Sequence, residues 1–254
     1  MSASRATPRD PDAEPELRDE SGPAENAAEF AQAAREVAST VKPRLRGWLH
    51  LGMTPLTLAA SIFLISLAPT TAGRISAAIF GTTAVLLFAT SAIYHTGRWS
   101  PVTKGVLKRL DHANIFLIIA GSYTPFAVLL LEGSQRTALL TIAWTGALAG
   151  LLFRVFWTSA SRWIHTPIYI ALGWVAVFFL DEFWTRGGPA VTILLAAGGL
   201  LYTLGAVVYA LKRPNPSPDW FGFHEIFHAF TVAAFSSHCV AVYLVVYGAT
   251  AAVG

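Results

Sequence analysis

Apolar and polar positions divide this chain at about residue 46. Beyond that point apolar blocks follow one another, with only short polar, Pro- or Gly-bearing breaks between them. Each block has about the 20 residues that a helix needs to cross a ~30 Å hydrocarbon core. The first runs from Trp48 to Leu67 and stops at Ala68-Pro69; the second covers Ile75 to Tyr94 and stops at His95. A basic loop, Thr96 to Arg109, leads to a third from Asp111 to Leu131, and a turn at Glu132 to Arg136 leads to a fourth from Thr137 to Trp157. The fifth spans Thr166 to Phe183. The sixth opens at Arg186-Gly187-Gly188-Pro189 and ends near Leu211. Lys212-Arg213-Pro214-Asn215-Pro216-Ser217-Pro218 breaks the pattern before a seventh that carries on to Tyr247. The expected fold is an all-α membrane protein, a bundle of seven transmembrane helices over residues 47–254.

Residues 1–46 lack such blocks. They are rich in Pro, Asp, Glu, Arg and Ala, and are expected to form a disordered tail, with a surface helix over Ala24 to Val41 as the alternative. Lys42-Pro43-Arg44-Leu45-Arg46 closes the tail as a basic collar. Composition agrees with the blocks: 54% of the 254 residues are hydrophobic and 13% charged, too apolar for an ordinary soluble domain. The single cysteine, Cys239, lies within the last block and excludes an intramolecular disulfide framework. No nucleic-acid motif accompanies the small net charge of +3.

Lys and Arg in the loops set the orientation. Eleven fall on the side of the amino terminus, from the collar, the second-to-third, the fourth-to-fifth and the sixth-to-seventh loops; the opposite side has Arg74, Arg136 and Arg186. The amino terminus is therefore expected in the cytoplasm and the carboxyl terminus outside, in the plasma (inner) membrane. Trp48, Trp99, Trp157, Trp163, Trp184 and Trp220 fall at block boundaries, as an aromatic belt would.

This topology brings the polar residues of several blocks to one face. His224-Glu225-Ile226-Phe227-His228 is an H-E-x-x-H at the start of the seventh helix, two imidazoles one turn apart with a Glu that can act as a base. His95 ends the second helix at the same face, with Ser91 one turn deeper, and Asp111 opens the third. Ionisable groups within spans are costly, so they are usually paired and functional. Three imidazoles with an open fourth position describe a catalytic zinc site, and iron, cobalt or nickel suit the same ligands. Each residue alone has a plainer reading: His95 as a charge at a helix end, Asp111 as an N-terminal acid. His50 and His165 are expected at the interface, His112 to point about 100° away from Asp111, and His238 to pack against a neighbouring helix.

With these residues in hand, the sequence resembles the hemolysin III family, within the progestin and adipoQ receptor superfamily of seven-helix membrane proteins. The matching pieces are Lys42-Pro43-Arg44-Leu45-Arg46-Gly47, Ser91-x-x-x-His95, Leu110-Asp111-His112-Ala113-Asn114-Ile115-Phe116, the Gly121-Ser122-Tyr123-Thr124-Pro125 turn and His224-x-x-x-His228. The superfamily is similar to the alkaline ceramidases, in which a Ser, an Asp and three His build a zinc site near the cytosolic face. The resemblance implies one Zn²⁺ on His95, His224 and His228, with Ser91 and Asp111 as site residues and Glu225 as an alternative base. It implies a hydrolase acting on a membrane lipid amide or ester. The competing expectations are a receptor-like or membrane-homeostasis protein with structural zinc and, ranked below it, a cytolytic pore. An intramembrane protease ranks low as well, because no Asp or Glu follows Glu225 to complete its ligand set.

Overall fold

The computed structural model describes residues 43–157, 161–217 and 219–248. The expected tail, residues 1–46, lies outside them up to Lys42. Seven α-helices are present among the described residues: α1 Trp48–Leu67, α2 Thr71–Thr96, α3 Pro101–Leu130, α4 Gly133–Phe156, α5 Arg162–Gly173, α6 Leu180–Leu211 and α7 Phe223–Gly248. A 3₁₀ segment, Trp174–Phe179, joins α5 to α6. Six helical stretches are long and apolar enough to cross a membrane, one of them the 50 residues of Arg162–Leu211. The protein is thus an all-helical integral membrane protein. The six boundary tryptophans are all exposed, as are large apolar side chains such as Leu56, Phe63 and Leu200 on the outer faces.

The 50-residue stretch does not run straight. Gly188 has φ 81° and ψ 169°, which a side chain would oppose, and Pro189 follows it. Trp174 Nε1 donates to Thr203 Oγ1 at 2.9 Å, although 29 residues separate them. In an unbroken helix they would stand roughly 40 Å apart, so the chain folds back at Gly188. At the same end Arg186 pairs with Glu132 (2.7 Å) and Gln135 donates to Glu182, which puts the α3–α4 turn beside the Gly188 reversal.

Helix α3 is the axis. It packs on α2, α4, α5, α6 and α7, and Phe116, Ala120 and Phe126 along it are fully buried. Its start differs from expectation. Ser100 caps it, accepting from Thr103 N, and Pro101 opens it, so Lys104, Lys108 and Arg109 are helical rather than part of a loop. Lys and Arg are good helix formers, and a charge run beside an apolar block need not be a loop. Asp111 is therefore ten residues inside the helix, which removes its plainer reading as an N-terminal acid.

The Gly121–Pro125 motif is likewise helix and not a turn. It makes two close contacts instead. A Cβ on Gly121 would meet the Thr83 side chain within van der Waals contact, so the glycine lets α2 and α3 cross closely. The Tyr123 hydroxyl enters the backbone ladder past α5, where Leu172 O (3.0 Å) and Gly173 O share its proton while Ala176 N–H donates to it at 3.2 Å. A side chain inserted in the i→i−4 ladder breaks the α-helical spacing, and the chain tightens to 3₁₀ there.

Candidate metal centre

Helix α7 starts firmly. Gly222 N–H donates to Glu225 Oε2 at 2.8 Å, and Phe223 N–H to Asn215 Oδ1 at 2.8 Å, so side chains satisfy two of the amides at the helix start. From that start His224 and His228 project inward, one turn apart, with His228 2% exposed. His95, in the last turn of α2, faces them: its Nε2 lies 3.2 Å from His224 Nε2. One ligand atom from each of His95, His224 and His228 lies within 4.8 Å of the others. Two imidazole nitrogens at about 2.0–2.1 Å from one tetrahedral ion stand about 3.3 Å apart. The donor set therefore fits one divalent ion, and three neutral nitrogens suit zinc. Helices more than a hundred residues apart in sequence bring the triad together as expected.

Asp111 Oδ2 lies 3.8 Å from His95 Nε2, past direct hydrogen bonding and within reach of one bridging atom. The buried Ser91 hydroxyl is near enough to the same carboxylate to interact with it. Behind these groups a cavity enters the bundle, bounded at the site by Ser91, Asp111, His224 and His228 and farther in by residues such as Ile115, Ile119 and Trp174. Its walls are mainly apolar.

Glu225 stands apart from this chemistry. Its Oε1 pairs with Arg46 Nε at 2.5 Å, its Oε2 takes the Gly222 amide, and it is 1% exposed. Both carboxylate oxygens hold structure, which argues for an anchor rather than the base considered from sequence. The geometric reason is rotational: at i+1 from His224 its side chain turns about 100° off the ligand face.

Two groups near the triad were not expected there. His50, read as an interfacial residue, is buried and stacks on His228 with ring centroids 3.8 Å apart, edge-on to Phe88. It fixes the plane of the His228 ring. The basic collar is the second. Arg44 N–H donates to Asp219 O at 2.9 Å, the Arg44 guanidinium lies 4.7 Å over the Trp220 ring, and Arg46 reaches Glu225. Gly47, with φ 89°, comes so near α2 that a Cβ would stand 2.6 Å from that of His95. A single His three residues into a span gives no signal by itself, and a Lys/Arg run reads first as a lipid-facing collar.

The other expectations divide. His238 packs against α6, contacting Leu195 O at 3.2 Å. His112 points away from the triad, donating through Nδ1 to Lys108 O at 2.7 Å and meeting the Tyr209 hydroxyl at 3.3 Å. His165, in the first turn of α5, is buried rather than turned out to solvent, its ring 6.0 Å from that of His112.

Residues 38–239 match the family described as Haemolysin-III related. The chain is 31% identical over 195 residues to the hemolysin-3 homolog of Bacillus subtilis (strain 168), covering 75% of this chain and 88% of that one. It is 30% identical over 194 residues to hemolysin-3 of Bacillus cereus, covering 74% and 85%. The human monocyte to macrophage differentiation factor is more distant, 24% identical over 181 residues, 68% of this chain and 71% of its own.

Proposed function

Because this chain belongs to the haemolysin-III related family, we propose that it is a metal-dependent hydrolase of a membrane lipid amide or ester, holding zinc on His95, His224 and His228. The observation that carries the reading is the convergence of three imidazoles, Asp111 and Ser91 at the mouth of a cavity with mainly apolar walls. A zinc ion bound there supplies Lewis acidity, polarising a carbonyl and bringing the pKa of a water towards ~7. The chain's own groups do the rest. Asp111 Oδ2 takes and returns the proton, the Ser91 hydroxyl orients that carboxylate, and the cavity receives the acyl chain while the head group stays at the interface.

Asp111→Asn tests this. The variant keeps its zinc and loses roughly 10²–10⁴-fold in the release of fatty acid from reconstituted lipid, read by mass spectrometry of the products. Zinc in the wild type without any product from amide or ester lipids would favour the non-catalytic, receptor-like reading.

The same reading places the site at the cytoplasmic face of the plasma (inner) membrane, within seven spans. Two facts support it: the eleven-to-three split of Lys and Arg between the two ends of the apolar blocks, and the reversal at Gly188, which divides a 50-residue stretch too long for one crossing. In a Cys239→Ala background, Ser134→Cys should react with an impermeant thiol reagent on intact cells, and Val102→Cys only after permeabilisation. The reverse pattern would overturn the orientation.

A further inference from the structure

Beside the metal centre, on the far side of His112 and Tyr209, lies a second polar cavity of about 250 Å³. Its lining is Lys108 and His112 from α3, Arg154 from α4, Ser161, Arg162 and His165 at the start of α5, and Tyr209 from α6. Three of these are cations, and no Asp or Glu is among them. Arg154 is 3% exposed, yet its Nε and one terminal nitrogen have no hydrogen-bond partner among the described residues. The same holds for Arg162 Nε and His165 Nδ1.

Buried polar groups are almost always hydrogen-bonded, and an uncompensated buried guanidinium is costlier than a neutral group. Four unsatisfied donor or acceptor atoms around one cavity therefore mark a missing partner. An acceptor with several oxygens and negative charge would satisfy these groups together and offset the three cations. A guanidinium fork matches tetrahedral and planar oxyanions in a bidentate manner. Helix α5 adds its N-terminal end, which favours an anion next to Arg162. Lys108 is exposed at the rim, as a group that first meets the ligand would be.

We infer that Arg154, Arg162 and Lys108, with His165, form a binding site for a phosphate group, carried by an anionic lipid head group or by a soluble phosphate. Arg154 grips two oxygens from within, Arg162 and the α5 terminus a third, and Lys108 neutralises the remaining charge. The site is separate from the triad, which His112 and Tyr209 divide from it, and it stands whether or not the metal centre turns over a substrate.

The test uses the full chain, delipidated in dodecyl maltoside. Phosphatidic acid, diacylglycerol with the same acyl chains and inorganic phosphate are each titrated, with native mass spectrometry and thermal unfolding as readouts. Phosphatidic acid is expected to bind at least about tenfold more tightly than diacylglycerol. Arg162→Gln should remove about tenfold of that affinity and Lys108→Gln less, with zinc content unchanged in both. Arg154→Lys keeps the charge and loses the fork, so it should fold and bind more weakly. If inorganic phosphate stabilises as well as phosphatidic acid and loses this in Arg162→Gln, the ligand is a soluble phosphate and the site stands. Equal binding of phosphatidic acid and diacylglycerol without any effect of phosphate would overturn it. So would phosphatidic acid binding that Arg162→Gln, Lys108→Gln and Arg154→Lys all leave unchanged.

Discussion

Purified His228→Ala protein is expected to come off a chelating column without metal, while the wild type retains one zinc per chain. Of the three candidate ligands, His228 has its ring stacked on that of His50, 3.8 Å away. It also packs against both other imidazoles, with centroids 4.6 and 5.1 Å away. Removing it leaves two donors, too few to exclude solvent exchange. Loss of an outer partner alone typically costs roughly 10–100-fold in metal affinity. His50→Ala should lose affinity within that range, and His228→Ala far more. His238→Ala, ten residues farther along α7 and engaged with α6, should bind zinc as the wild type does. Metal content is read by elemental mass spectrometry after dialysis. Stoichiometric zinc in His228→Ala would show that the ligands lie elsewhere.

The second large effect concerns stability. Arg46→Ala strands the Glu225 carboxylate, 1% exposed, with the Gly222 amide as its remaining partner. Breaking one side of a buried pair costs roughly 3–5 kcal/mol; because Arg46 is itself 19% exposed, the lower end is expected. The variant should unfold at a clearly lower temperature in detergent. Replacing both partners, Arg46→Met with Glu225→Gln, should recover part of the loss, since no charge is left buried and the Gln carbonyl oxygen can still accept from the Gly222 amide. Glu225→Gln alone should keep zinc and keep activity. Lost product release with metal and stability intact would instead restore Glu225 as the base.

How far the sequence carried the argument depended on the kind of signal. Long apolar blocks have one solution in a bilayer, since every backbone group must be satisfied within a helix, so the helices were legible. So was the triad: His224 and His228 are locally spaced, and loop cations put His95 at the same end. What remained hidden depends on rotation about a helix or on contacts between loops. His50 and Arg46 become part of the site only when α1 settles against α2 and α7, which no local pattern encodes. The start of α3 is ambiguous in the sequence because Lys104, Lys108 and Arg109 suit a loop by charge and a helix by propensity, and the Ser100-Pro101 cap decides for the helix. Arg154, one residue among several loop cations in the sequence, gains its meaning only from being enclosed.

The order in which these pieces leave the ribosome matters as well. The collar and His95 belong to the first hundred residues, whereas Glu225, His224 and His228 belong to the last helix. Six of the seven helices can be inserted while Arg46 has no counter-ion and His95 no fellow ligands. An ion held by all three imidazoles could therefore bind only once α7 is in place, and a chain arrested before α7 would present His95 without His224 and His228.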